Sequence, residues 1–457
     1  MRHLPGVESD RTDTRGRQAH ATGHHRRSVP NRQMTGRPAG AACSTRAHRE
    51  SLALSSRSCA TRLHGMPTSA THSRRSRPSL RWVVLRLLAL LTPVACSRAR
   101  SEVAWPVGDA VRAGLDTAEL HLLQEELARR GTTALLIALD GRLVVEWYGP
   151  GHHSRERLWG ASLAKSMVGG LSLVLALQER RLLLGDTAAK WIPDWQDDSA
   201  RAAITIEQLA SHTSGLANGL GEPPCPSDDH PDWADRFWKR KPNPFATALH
   251  ETPLCATPGQ YLYSSPGLAA LAYAVTAAIR ETATPNIARQ LKSRLMIPLG
   301  IPAGAWSLGY RKTYRLDGLT LYASWGGVAY TARAAARLGQ LMADYGRWNG
   351  QPILDSAWVG YVTSCAEGRA RELSSGAFEP APVLGWWSNC GRAWPSLPSD
   401  AIAARGSGHQ IVLAVPSLRL VVARFGGRLD PAAPSSWAPV EQFLYAPLIA
   451  ALRHSGG

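Results

Sequence analysis

Ser162 and Lys165 stand three residues apart in Trp159-Gly160-Ala161-Ser162-Leu163-Ala164-Lys165-Ser166-Met167, at the head of a long apolar run. The chain holds only six lysines against 46 arginines. Arginine serves as a surface cation as well as lysine does, but its guanidinium stays protonated and cannot act as a base. A lysine buried beside a hydroxyl can be driven neutral by desolvation and then take the hydroxyl's proton. If Ser162 opens a helix, its backbone N–H is an unpaired first-turn donor at the positive end of the dipole. Lys165 then lies on the same face one turn on. The pair would form an activated nucleophile with one oxyanion donor in place. Roughly one chain in two of this size carries a Ser-x-x-Lys by chance, so the position of this one at the start of a buried helix carries the argument.

Other chemistries find less support. No Gly-x-Ser-x-Gly occurs, so His212, in Gln208-Leu209-Ala210-Ser211-His212-Thr213-Ser214-Gly215-Leu216, reads as a structural loop residue and not a triad base. No His-Glu-x-x-His or zinc-finger cysteine spacing is present, and no metal or other cofactor is expected. His152 and His153 read as a solvated loop. Trp325, Trp386 and Trp387 read as core, with pocket lining as the alternative. Arg236, Lys239, Arg240 and Lys241, interleaved with Trp233 and Trp238, read as a solvated loop and not a nucleic-acid patch.

The charge distribution supports that last reading. Residues 1–100 hold 19 Lys+Arg and 4 Asp+Glu, a net of +15, whereas the remaining 357 hold 33 and 31, a net of +2. The basicity belongs to the leader, and no nucleic-acid partner is expected for the body. Residues 1–65 lack apolar periodicity and read as disordered, or as a start-site artefact preceding Met66. Residues 66–96 read as a signal peptide: Arg74-Arg75-Ser76-Arg77, an apolar core from Trp82 to Leu91, and a small-residue exit at Pro93-Val94-Ala95-Cys96. The expected location is therefore exported and periplasmic, with membrane contact only through the signal peptide or a lipid anchor at Cys96. Past the leader, proximity in sequence favours disulfides Cys225–Cys255 and Cys365–Cys390.

The elements that must position the serine follow from pattern. Residues 97–115 read as a linker. A helix is expected from Asp116 to Arg130, with Leu120, Leu122, Leu123 and Leu127 on one side. Asp140-Gly141 between the apolar runs 133–139 and 142–148 signals a hairpin. A buried helix is expected from Ser162 to about Leu184. Residues 185–300 show helical patches broken by Gly/Pro loops. Strands return at 410–415 and 418–425, and a terminal helix begins at Glu441. The expected fold is α+β: an antiparallel sheet from both chain ends, flanked by helices, with a helical insertion.

Four further stretches complete a recognisable order. They are 208–216 above, Pro258-Gly259-Gln260-Tyr261-Leu262-Tyr263-Ser264-Ser265-Pro266-Gly267, Trp348-Asn349-Gly350-Gln351-Pro352-Ile353-Leu354, and Gly406-Ser407-Gly408-His409-Gln410. With Ser162 and Lys165 they resemble the serine β-lactamase and penicillin-binding-protein superfamily over roughly Asp116 to Leu452. Within it they look most like class C β-lactamase-type hydrolases, and Gly131-Thr132-Thr133, Trp147-Tyr148-Gly149 and the Ser162 run lean toward 6-aminohexanoate-dimer hydrolases. The resemblance implies a β-lactamase/transpeptidase-like fold in residues 116–457. It implies acylation of Ser162, Lys165 as its base and Tyr263 as proton relay to the leaving group. It places the oxyanion strand at Ser407-Gly408-His409, with the Gln410 N–H as second donor. Two positions depart from the pattern: Ser265 replaces the usual Asn, and Ser407 replaces the usual Lys or His, with Arg405 or His409 as substitute cations. Lys312-Thr313-Tyr314 lacks the glycine of the strand motif. The expected activity is amide or ester hydrolysis on a small-molecule amide, ester or lactam. A β-lactamase or D,D-peptidase is the alternative, and a non-catalytic envelope binding module is the reading from another class.

Overall fold

A helix capped by Asp116 starts the frame on which the rest is built. The computed structural model describes residues 104–220, 225, 230–364, 371–372, 378–433 and 436–453, all within one compact unit. Expectations for the leader, and for Cys365 as a partner of Cys390, fall outside these residues. In α1 (Thr117–Arg129) the Asp116 carboxylate accepts from the Ala118 and Glu119 amides, satisfying first-turn donors. Leu120, Leu123 and Leu127 are buried, whereas Leu122, expected on the same side, is 59% exposed. At 100° per residue it falls off the 120/123/127 stripe. Residues 104–115, read as a linker, pack on the body: Trp105 and Leu115 are buried, and the Trp105 indole donates to the Gly141 carbonyl.

The hairpin β1 (Thr132–Leu139) and β2 (Arg142–Tyr148) turns through Asp140 (φ 50°) and Gly141 (φ 72°). Two left-handed residues are what a two-residue hairpin turn needs. Along β1 the side chains alternate between two cores. Leu135, Ile137 and Leu139 join α1, and Ala134, Leu136 and Ala138 join the helices on the other face.

Between the two ends of the sheet lies the helical insertion. β3 (Leu158–Ala161) runs into a π-helical turn, Lys165–Gly170, which continues as α2 (Leu171–Gln178). α3 (Ile206–Ala210) carries a Thr205/Gln208 capping box. Cys225 and Cys255 are joined, with Cα atoms 5.2 Å apart. The segment expected as a solvated basic loop is instead a helix, Trp233–Lys239, whose cations are paired: Arg236 with Glu251 and Lys239 with Asp235. α4 (Ser265–Ile279) is buried nearly all round. β4 (Trp306–Ser307) and β5 (Val328–Tyr330) join β3 in a small sheet ordered β3-β5-β4.

α5 (Ala332–Ala343) then lies across the main sheet, which is completed by β6 (Ala381–Val383), β7 (Trp386–Ser388), β8 (Ile402–Gly406), β9 (Gln410–Val415) and β10 (Leu420–Gly426). The order is β6-β7-β8-β9-β10-β1-β2, with every pairing antiparallel. α6 (Ala446–Arg453) closes the chain beside α1, and the Asp116 amide donates to the Ala451 carbonyl. The result is a sheet between two helical layers, the β-lactamase/transpeptidase-like architecture expected.

Gly339 marks how closely α5 approaches the sheet: a Cβ there would lie 2.8 Å from Val421 Cγ1 and 2.9 Å from Val412 Cγ1. Helix propensity favours Ala over Gly by about 1 kcal/mol, but overpacking against stiff, buried valines costs about 1–3 kcal/mol. Gly339→Ala is therefore expected to be net destabilising by roughly 1 kcal/mol in urea denaturation. A gain in stability would mean that α5 can lift off the sheet at little cost.

Candidate active site

Ser162 sits at a forced corner. Ala161, the last residue of β3, has φ 47°, left-handed for a residue with a Cβ. Ser162 itself forms the turn and is half-buried, and helical structure begins at Leu163, not at the serine as expected. The helix also ends at Gln178 and not near Leu184. Arg180 (φ 53°) takes the left-handed position, with Arg180 N–H donating to Leu177 and Arg181 N–H to Ala176, a Schellman stop without glycine.

Lys165 is 3% exposed. Its Nζ lies 3.2 Å from Ser162 Oγ, donates to the Trp325 carbonyl at 2.8 Å, and stands 4.7 Å from the centre of the Tyr263 ring. The turn is held by close backbone packing. The Ser166 hydroxyl donates to the Gly385 carbonyl, and a Cβ on Gly385 (φ 81°) would lie 2.3 Å from the Lys165 carbonyl.

Tyr263 lies in the loop leading to α4. Ser264 caps that helix, its Oγ accepting from Gly267 N–H. His212, read from sequence as a structural loop residue, is part of this arrangement. Its Nδ1 accepts the Ser264 amide at 3.1 Å, and its ring lies 4.5 Å from that of Tyr263. Burial, reinforced by electrostatic contact with Lys165, pushes its pKa down to about 3. Trp387 stacks near parallel to Tyr263 at 6.3 Å, so it borders the site, while Trp325 and Trp386 are core residues.

The β8–β9 hairpin forms the third wall. Gly406 is pressed onto the nucleophile turn: a Cβ on it would lie 2.1 Å from the Gly160 carbonyl and 3.3 Å from Ala161 Cβ. The next residue, Ser407, opens the hairpin turn. Three expectations for this wall and its neighbour change. Gln410 lies across the hairpin, paired with Gly406, and its side chain bonds the Ser407, Gly408 and Gly426 carbonyls and the Gly426 amide. It clamps the turn, and no geometry points its N–H at Ser162. His409 is fully buried, with Nδ1 accepting the Leu429 amide, so it supplies no cation to the cleft. Ser265 is fully buried in the first turn of α4, where its amide donates to Asn218 Oδ1. Gly408 (φ 82°) and His409 (φ 55°) shape the turn, and buried Arg424 donates to both their carbonyls. Arg405, half-buried, stacks on Trp437 at 4.6 Å and donates to the Ser436 carbonyl. Lys312 is exposed, and His152 pairs with Glu156 in a surface loop.

Sequence reasoning missed the Trp325 carbonyl, His212 and Tyr310. The Tyr310 ring packs over Gly326 and Gly327 and lies 5.9 Å from that of Trp159. The paired glycines of Ser324-Trp325-Gly326-Gly327 are the one available signal of a close approach.

Comparison with known proteins agrees with this geometry. The Beta-lactamase family model matches residues 121–439. A 6-aminohexanoate-dimer hydrolase of Paenarthrobacter ureafaciens is 26% identical over 329 residues, covering 71% of this chain and 80% of that protein. A Bacillus anthracis structure assigned as a 6-aminohexanoate-dimer hydrolase superposes with TM-score 0.55 at 23% identity, covering 73% of this chain and 81% of that one. A family VIII carboxylesterase superposes with TM-score 0.54 at 16% identity, covering 75% and 99%.

The two buried imidazoles have a consequence for stability. Burial, with Arg405 and Arg424 nearby, lowers His409 to about 4. Above pH 6.5 both histidines are neutral folded and unfolded, and contribute no pH dependence. Below it the unfolded chain binds protons that the folded chain refuses, so each group lowers stability by about 1.4 kcal/mol per pH unit. Between pH 6.5 and 5, before ordinary carboxylates titrate, unfolding free energy is expected to fall steeply. His212→Asn should remove about half of the histidine contribution to that slope. Equal slopes in the two proteins would mean that His212 protonates in the folded state.

Proposed function

The chain belongs to the Beta-lactamase family and is a serine hydrolase, and on that premise we propose that it cleaves a linear amide or small ester through an acyl-enzyme on Ser162. The observation that carries this reading is the buried Lys165 amine, 3.2 Å from Ser162 Oγ and already engaged by one carbonyl. Ser162 Oγ attacks the substrate carbonyl while the Lys165 amine takes its proton. The Ser162 and Ser407 N–H groups hold the oxyanion where charge develops. Lys165 returns that proton through the Tyr263 hydroxyl to the departing amine or alcohol. Water then gives a proton to the same Tyr263–Lys165 relay as it adds to the acyl carbon, and the relay returns it to Ser162 Oγ as the second intermediate collapses to the free acid.

The likeness to the Paenarthrobacter 6-aminohexanoate-dimer hydrolase supports linear amides as substrates, and the carboxylesterase-like fold is compatible with esters. The missing strand cation at Ser407 and the burial of His409 weigh against a β-lactam carboxylate as the preferred ligand. The basic run, apolar core and small-residue exit at 74–96 support export to the periplasm.

Incubation with a fluorophosphonate is expected to add one adduct, mapping to the Ser162 peptide and absent in Ser162→Ala. Lys165→Met, of similar length but without the amine, should slow labelling and ester turnover by roughly 10³-fold while remaining folded. An adduct that persists in Ser162→Ala would move the nucleophile elsewhere.

A further inference from the structure

His212 has no part in the bond-making sequence above, yet the loop carrying Tyr263 is built around it. Its carbonyl accepts the Leu262 amide at 2.8 Å and its Nδ1 accepts the Ser264 amide at 3.1 Å. The residues on either side of Tyr263 are thus pinned by one side chain and its own backbone. Between them the Tyr263 ring lies against the imidazole, centroids 4.5 Å apart. The imidazole also faces Trp387 at 6.3 Å. The neighbouring Thr213 carbonyl accepts the Gly259 amide at 2.7 Å, fixing the start of the same loop.

The backbone supports a specific requirement at this position. His212 is left-handed, with φ 57°. A side chain in that region costs on the order of 1 kcal/mol, and glycine would be the relaxed choice. Glycine, however, carries no acceptor for the Ser264 amide. The acceptor must be an unprotonated nitrogen, which puts the ring hydrogen on Nε2. The titratable groups around the ring are Lys165 and Tyr263, and neither is a carboxylate that would hold an imidazolium.

We propose that His212 is a positioning residue that holds the Tyr263 hydroxyl in register with Ser162 and Lys165, by accepting the Ser264 amide and packing against the Tyr263 ring. The proposal rests on the reading of Tyr263 as proton donor to the leaving group. A misplaced donor harms substrates whose leaving group needs a proton and spares those whose leaving group does not.

The test compares His212→Asn, His212→Gly and Tyr263→Phe on an alkyl ester and on a nitrophenyl ester of the same acid. Asn and Gly both tolerate the left-handed backbone, but only Asn carries an acceptor. Tyr263→Phe is expected to lose roughly 10²-fold on the alkyl ester and less than about 3-fold on the nitrophenyl ester. His212→Gly should share that selectivity and also speed amide exchange at Ser264, while His212→Asn stays within about 5-fold of wild type. Equal losses on both esters in His212→Gly, with Tyr263→Phe selective, would overturn the proposal. So would unchanged exchange at Ser264. If exchange quickens but Tyr263→Phe is unselective, positioning stands and the proton-donor reading falls. Should His212→Gly fail to fold, ¹⁵N spectra of the wild-type imidazole decide: an Nε2–H tautomer with Nδ1 bonded to the Ser264 amide supports the proposal, and the opposite tautomer overturns it.

Discussion

Everything around the nucleophile depends on one constraint: an amine buried to 3% exposure has to be satisfied on every side that matters to it. Water cannot solvate it, so the fold supplies the Trp325 carbonyl, the Ser162 hydroxyl and the face of Tyr263 instead. Each partner comes from a different part of the chain. The serine ends a strand-to-helix corner, the carbonyl belongs to the loop before β5, and the tyrosine precedes α4. The helical insertion and the sheet must therefore be assembled before the amine has its environment, which ties the chemistry to the completed fold.

That assembly uses backbone against backbone, because side chains would hold the pieces too far apart. Gly406 lets β8 rest on the Gly160 carbonyl, and Gly385 lets the loop before β7 rest on the Lys165 carbonyl. Gly170 does the same for the Leu384 carbonyl, which a Cβ would approach to 2.2 Å. Ala161 and His212 accept left-handed conformations at the same centre. Strain of this kind persists only where the surroundings over-determine it. Here they do, since each strained residue is locked by hydrogen bonds or by one of these glycine contacts.

The sequence made the periodic and the punctuated parts of this arrangement legible. Asp140-Gly141 announced its hairpin, continuous apolar runs announced β1 and β9, Ser162 and Lys165 stood out by type and spacing, and Tyr263 followed from the family resemblance. What it hid follows a physical pattern. The stop at Gln178 was missed because an arginine, not a glycine, takes the left-handed position. The Trp325 carbonyl was missed because every residue has one, and spacing says nothing about which will meet an amine. Gln410 was misplaced because Gly408 and His409 are both left-handed, and that turn carries the chain across the hairpin before the strand resumes. His212 was read as bland because its role depends on a loop fifty residues away.

The same geometry bears on where specificity comes from. In this site the third wall presents a backbone edge at Ser407, clamped from behind by Gln410 and Arg424, and no strand cation. The remaining walls are aromatic. Trp387 and Tyr263 stand on one side, and Trp159 and Tyr310 stand on another, with Arg240 4.0 Å from the Tyr310 ring. Trp159 is 54% exposed, leaving its face open to solvent. Flat aromatic faces bind an extended chain of methylenes by area and impose little directional demand. A β-lactam needs a fixed cation for its carboxylate, whereas a flexible aliphatic amide or ester needs a trough and one well-held carbonyl. On the proposed reading the aromatic walls suit the second requirement, and the Ser407 edge, held by Gln410, is the rigid part.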